Sequence, residues 1–114
     1  MQIKKITDYS KTSGTSYHDD NISATVEELI NVFGKVERGN ASDKSQFDWN
    51  LELSDGTPFT IYDWKEYRYF RTNERIDFHI GGFDKRDTIK ARKVIEHLLV
   101  NAEDNEFDIL TQAN

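Results

Sequence analysis

The sequence predicts an α+β fold, an antiparallel sheet of three to four strands with two helices laid across one face. Three observations predict it. Phe47, Trp49, Leu51 and Leu53 alternate with Asp48, Asn50 and Glu52, the period of a strand buried on one side. Asp55-Gly56 follows, a dipeptide suited to the positive φ of a tight hairpin. On either side of this region apolar residues recur at helical spacing instead.

Residues 1–13 are polar with scattered Ile3, Ile6 and Tyr9, and read as an arm, a short edge strand or a frayed terminus. Thr25-Val-Glu-Glu28 has the spacing of a capping box, in which hydroxyl and carboxylate each satisfy a free backbone N–H. Val26, Leu29, Ile30 and Phe33 then define a helix over about 25–33, stopped by Gly34. Residues 35–45 form a polar loop. After the Phe47–Leu53 strand and its turn, Pro58 to Trp64 returns with Phe59 and Ile61 inward; Pro58 stands at its first position, where a missing donor is tolerated. Residues 65–74 read as a charged, aromatic loop or irregular extension. Arg75 to Ile80 alternates again, with Ile76, Phe78 and Ile80 inward, and ends at Gly81-Gly82. The second helix starts from Asp84 or Asp87 as cap and runs to about Leu99, with Ile89, Val94, Ile95, Leu98 and Leu99 on its inner side. Residues 101–114 read as an acidic tail.

At 114 residues there is room for one domain and one core. With no cysteine, the chain has neither a disulfide framework nor a thiolate metal site. The first residues lack the apolar run of a signal peptide and nothing reads as a membrane span, so a cytoplasmic location is expected. A net charge of −6 argues against sequence-blind binding to a nucleic-acid backbone, which depends on neutralising phosphates. The charge is uneven: residues 65–93 hold nine basic against five acidic residues, a net +4, leaving −10 elsewhere.

Gly14-Thr15-Ser16, Leu29, Val32-Phe33-Gly34, Trp49, Asp55-Gly56-Thr57, Thr60-Ile61-Tyr62-Asp63-Trp64-Lys65 and His79-Ile80-Gly81-Gly82 occur in this order. Together they resemble a family of small bacteriophage and prophage accessory proteins. The resemblance spans about residues 14–99. It implies a β-α-β-β-β-α order with an additional strand near 14–20, and a viral accessory role such as countering a host defence. It supplies no catalytic residues. Where such proteins continue Gly-Thr-Ser with an apolar stretch, this chain has Tyr17-His-Asp-Asp20.

Strand parity puts Thr60, Tyr62 and Trp64 opposite Phe59 and Ile61, and Arg75 and His79 opposite Ile76 and Phe78. A sheet face showing Tyr, Trp, His and Arg suits an interface, because such side chains dominate binding energy; the bland alternative is that a loop or a second copy covers it. The run from Lys65 through Tyr67 and Arg68 to Arg71 interleaves aromatic and basic groups, as single-strand nucleic-acid binders do, and as solvated loops with long Arg stems also do. Gly81-Gly82 with Lys85 and Arg86 could hold an anion at a helix start, although Asp84 or Asp87 would fill the same cap. The candidate binding residues are therefore Tyr62, Trp64, Lys65, Tyr67, Arg68, Arg75, His79, Lys85 and Arg86. His18-Asp19-Asp20 does not converge on a metal, and His97 reads as a helix-surface residue. Glu27, Glu28, Asp19, Asp20 and the tail's Glu103, Asp104, Glu106 and Asp108 could form an acidic surface for a basic groove. No nucleophile or acid–base frame stands out. The sequence thus points to a non-enzymatic protein without cofactor or metal. Its expected role is to bind and inhibit a host protein; the alternative is to sequester a nucleotide-like signalling molecule. An uncovered aromatic face would also favour a homodimer.

Overall fold

The computed structural model describes all residues except 1–2, 7, 35–46, 65–69 and 114, together with the side chains of residues 9 and 102–113. Among the described residues five strands and two helices follow one another: β1 (Ile3–Lys5), a 3-10 turn (Tyr9–Thr12), β2 (Ser16–Ala24), α1 (Val26–Phe33), β3 (Asp48–Leu53), β4 (Pro58–Tyr62), β5 (Ile76–Gly82) and α2 (Lys85–Ala113). The class is the one expected. The sheet has five strands, in the order β1-β3-β4-β5-β2 with every pair antiparallel, where three to four were expected.

The central meander β3-β4-β5 follows from alternation and one turn. Trp49 faces Ile61 and Leu51 faces Phe59 across the β3–β4 hairpin, and all four are fully buried. Gly56 takes φ +92° in the turn, where Asp55 Oδ1 accepts from Thr57 N at 3.0 Å and Asp55 Oδ2 from Lys90 Nζ of α2 at 2.7 Å. Two strands come from the first 24 residues: β2, where the motif resemblance implies a strand near 14–20, and β1, in the stretch read as an arm, a short edge strand or a frayed terminus. They lie on opposite edges of the sheet, β1 beside β3 and β2 beside β5, so the chain between them has to cross it. On the way Ile6 N donates to Asn50 O and Thr12 Oγ1 to Asn50 Oδ1 at 2.8 Å, and the 3-10 turn packs on β4. Residues 3–6 and 8–13 are therefore an edge strand and a strap over the face opposite the helices.

β2 is broken by a wide irregularity. Tyr17 pairs with Gly81 and Asn21 with His79, so β2 takes four steps where β5 takes two. Asp19, in the middle, adopts φ +67°, a left-handed conformation that Asp and Asn tolerate better than most side chains.

Both helices cover the other face. α1 begins with the expected capping box: Thr25 Oγ1 accepts from Glu28 N at 3.0 Å and Glu28 Oε1 from Thr25 N at 2.9 Å. Its buried stripe is Val26, Leu29 and Phe33; Ile30 is exposed, a correction that reflects how narrow a stripe eight residues present to one sheet. α2 is capped by Asp84, whose Oδ1 accepts from Asp87 N at 2.8 Å, and its backbone stays helical through residues 101–113, which the sequence reading assigned to a tail. Among its described side chains Thr88, Ala91 and Ile95 are buried, with Val94, Leu98 and Leu99 packed beside them. The core lies between sheet and helices, built from Ile22, Ala24, Trp49, Leu51, Leu53, Phe59, Ile61, Ile76, Phe78 and Ile80 of the strands and the apolar stripes of both helices.

Candidate functional site

Antiparallel pairing sets the sheet's outer face in rows. One row runs Asn50, Thr60, Gly81, Tyr17 and the next Asp48, Tyr62, His79, Asn21. The strap covers the first row, which is made of small residues apart from Tyr17. A Cβ at Gly81 would run into Thr60 Oγ1, so the first row stays shallow only because position 81 carries no side chain. The residues of the second row are half-buried.

There the aromatic residues meet. His79, on the strand between β4 and β2, is the centre. The Tyr17 ring stacks on it from the β2 side, with centroids 3.8 Å apart and planes 17° from parallel. Trp64, just beyond β4, lies over it at 5.9 Å and 23°. Tyr62 meets His79 edge-on at 5.5 Å and Trp64 at 6.1 Å. Tyr17 and Trp64 remain 37% and 38% exposed, so each end of the stack presents a ring to solvent. Tyr17 Oη donates to Asn21 Oδ1 at 2.5 Å, a bond within β2 that fixes the ring across the irregularity.

The electrostatics of the layer are those of a partly dry surface beside carboxylates. Burial pushes the His79 pKa below the usual 6.5, against the opposing pull of Asp19 and Asp77. Its Nδ1 is buried and has no hydrogen-bond partner among the described residues, an arrangement a neutral imidazole tolerates better than a charged one. Burial likewise raises the Tyr62 pKa, with smaller contributions from Tyr17 and Asp48. Because the unfolded chain takes up the His79 proton at higher pH than the folded one, this residue's stability contribution is complete above about pH 6.5 and is lost as pH falls through its folded value. Melting temperature measured from pH 7.5 to 5 is therefore expected to fall, and to fall less in His79→Phe; equal slopes would show that His79 does not carry the effect.

The remaining candidates are elsewhere. Arg75 does not join the aromatic layer: its Nη2 lies 3.0 Å from Glu28 Oε1 of α1 and its Nη1 donates to Ser23 O at 3.0 Å. Parity misplaces it because β5 begins at Ile76, leaving Arg75 outside the ladder with a side chain long enough to reach the helix cap. Lys85 Nζ donates to His18 O at 2.8 Å and lies 3.1 Å from Asp20 Oδ2, while Asp84 occupies the cap of α2; an anion at this helix start would have to displace both. Gly82 is close against α2, where a Cβ would stand 2.8 Å from Thr88 Cγ2. Arg86 is exposed. Lys65, Tyr67 and Arg68 lie outside the described residues, as do the side chains of the acidic stretch from Glu103 to Asp108.

The acidic surface is also smaller than expected. Asp20 is 1% exposed, held by Thr88 Oγ1 at 2.6 Å and Arg92 Nη1 at 2.9 Å as well as by Lys85. Burial acts to raise its pKa, but these bonds and charges together hold it below the ordinary value. Glu28 is spent on the capping box and Arg75, and Glu27 Oε1 accepts from Thr72 Oγ1 at 3.2 Å. Among the described residues no group of His, Asp and Glu is placed to hold a metal ion, and no helix is long and apolar enough to cross a membrane.

Sequence reasoning missed Tyr17 and Asn21. Their signal was hidden because the two additional residues of β2 destroy its alternation until Ile22 and Ala24. Compared with known proteins, the chain matches no family model and no curated sequence.

Proposed function

We propose that this chain is a non-enzymatic, phage-type accessory protein that binds and inhibits a host defence or regulatory protein through the aromatic layer on its outer sheet face. The observation that carries the reading is the Tyr17–His79–Trp64 stack with Tyr62 against its edge, open to solvent at both ends. Aromatic clusters of this kind supply large, rigid contact area at low entropic cost, which is the character of an interface anchor. The phage association rests on the ordered sequence motifs alone.

A protein partner fits this geometry better than a nucleotide-like molecule. A planar base needs a slot between rings, and here the space between Tyr17 and His79 is already closed at 3.8 Å. A phosphate needs cations beside the slot, and of the candidates among the described residues Arg75 and Lys85 are engaged by Glu28 and Asp20.

Trp64→Ala tests the reading. Being more than a third exposed, the side chain is expected to cost about 1 kcal/mol of stability when removed. Host protein captured stoichiometrically by the native chain should be lost with the variant, because truncation removes the exposed ring that anchors the contact. Undiminished capture would overturn the assignment of the face. A thermal-shift screen against nucleotides should be flat; a rise of several degrees would favour the sequestering alternative.

A further inference from the structure

We infer that the aromatic layer is built to receive a cationic side chain, an arginine projecting from a basic region of the protein partner. The inference rests on the function proposed above and names the chemistry its partner must bring. Three carboxylates border the layer. Asp19, at the turn of the β2 irregularity, and Asp77, two residues before His79 on β5, both act on the His79 imidazole. Asp48, paired with Tyr62 across β3 and β4, acts on the Tyr62 hydroxyl. Asp19 and Asp77 are exposed. Arg75, the cation that alternation would have placed among them, is turned away to Glu28.

Indole and phenol faces beside carboxylates attract cations, because the ring quadrupole is negative over its face and the acids add long-range steering. Guanidinium suits the site better than ammonium. It is planar, weakly hydrated and able to lie flat on the exposed Tyr17 ring while donating in its own plane to a neighbouring carboxylate. His79, held neutral by its burial, does not oppose the incoming charge. The β2 irregularity has a role in this: it carries Asp19 to the rim of the layer while bringing Tyr17 and Asn21 to the same face.

The probe is a short peptide, acetyl-Gly-Arg-Gly-Arg-Gly amide, titrated into the isotopically labelled protein and followed by backbone amide shifts. A second peptide carries citrulline, the uncharged isostere of arginine. Shifts for the arginine peptide should centre on Tyr17, Tyr62, Trp64 and His79, with binding about tenfold tighter than for the citrulline peptide. The double substitution Asp19→Asn and Asp77→Asn should weaken the arginine peptide about tenfold and leave the melting temperature unchanged, since both groups are exposed and Asn tolerates the positive φ at position 19. Equal binding of the two peptides, no shifts with either, or undiminished binding by the double variant would overturn the inference. Failure here is separable from failure of the function proposed above. If host-protein capture depends on Trp64 but the arginine peptide is ignored, the layer is an interface of another chemistry; if capture survives Trp64→Ala, the interface itself lies elsewhere.

Discussion

Trp49→Ala is expected to remove about 3–5 kcal/mol of stability, a large share of the roughly 5–15 kcal/mol that separates a folded domain from its unfolded chain. Trp49 is fully buried on β3. Its ring meets Phe78 of β5 edge-on at 6.1 Å, and its Nε1 donates to Gly34 O at 3.3 Å, so it joins strand to strand and the sheet to the end of α1. Truncation leaves a cavity too central to collapse. It also strips the Gly34 carbonyl of a partner. Urea titration should show the midpoint falling with the slope unchanged, because the surface exposed on unfolding is nearly the same. A loss below about 1 kcal/mol, no more than a surface substitution costs, would mean that Trp49 is not central to the core. The contrast with Trp64, whose removal should cost binding and little stability, separates the two faces of the sheet by one experiment in two positions.

Asp20→Ala is the second large effect, expected at about 3 kcal/mol. The carboxylate is buried, and three donors from α2 converge on it. Removing it takes from the buried Thr88 hydroxyl its shorter bond, leaving only the Lys85 carbonyl at 3.1 Å, and leaves two cations facing each other without their common partner. The full cost of breaking a buried ion pair does not apply, since Lys85 and Arg92 are 52% and 36% exposed and turn to water. Asp20→Asn keeps the shape and one acceptor and should recover part of the loss. Denaturation of the three proteins at neutral pH gives the ordering; a variant as stable as the native chain would show that the β2 irregularity does not depend on α2.

The meander was legible because its physics is local. Each of β3, β4 and β5 buries one face, so the period is two and every inward position is apolar, and the Asp55-Gly56 turn fixes the register. α1 was legible from its capping box. The edge strands were not. β1 is three residues long, too short for any period, and β2 spends two residues on the irregularity that lets Asp20 turn inward toward α2 while Tyr17 and Asn21 stay on the outer face. A polar run such as Tyr17-His-Asp-Asp-Asn21 carries no trace of that division, since the partners that bury Asp20 lie more than sixty residues away. For the same reason Tyr62, Trp64 and His79 could be placed together from parity, while Tyr17, the ring in closest contact with His79, could not. Arg75 shows the converse limit: alternation assigns a backbone position to a face, but a long side chain next to a helix cap follows the nearest carboxylate.

The sheet is bordered by β1 on one side and β2 on the other. An open strand border is a template on which a foreign strand can add, and many recognition events and most aggregation use it. Here one border offers three residues, two of them Lys4 and Lys5, whose charge discourages a newcomer. The other is interrupted in mid-course, where Asp19 leaves the extended conformation. Strand addition is blunted on both flanks of the described sheet, which leaves its broad side as the surface that the proposed function requires.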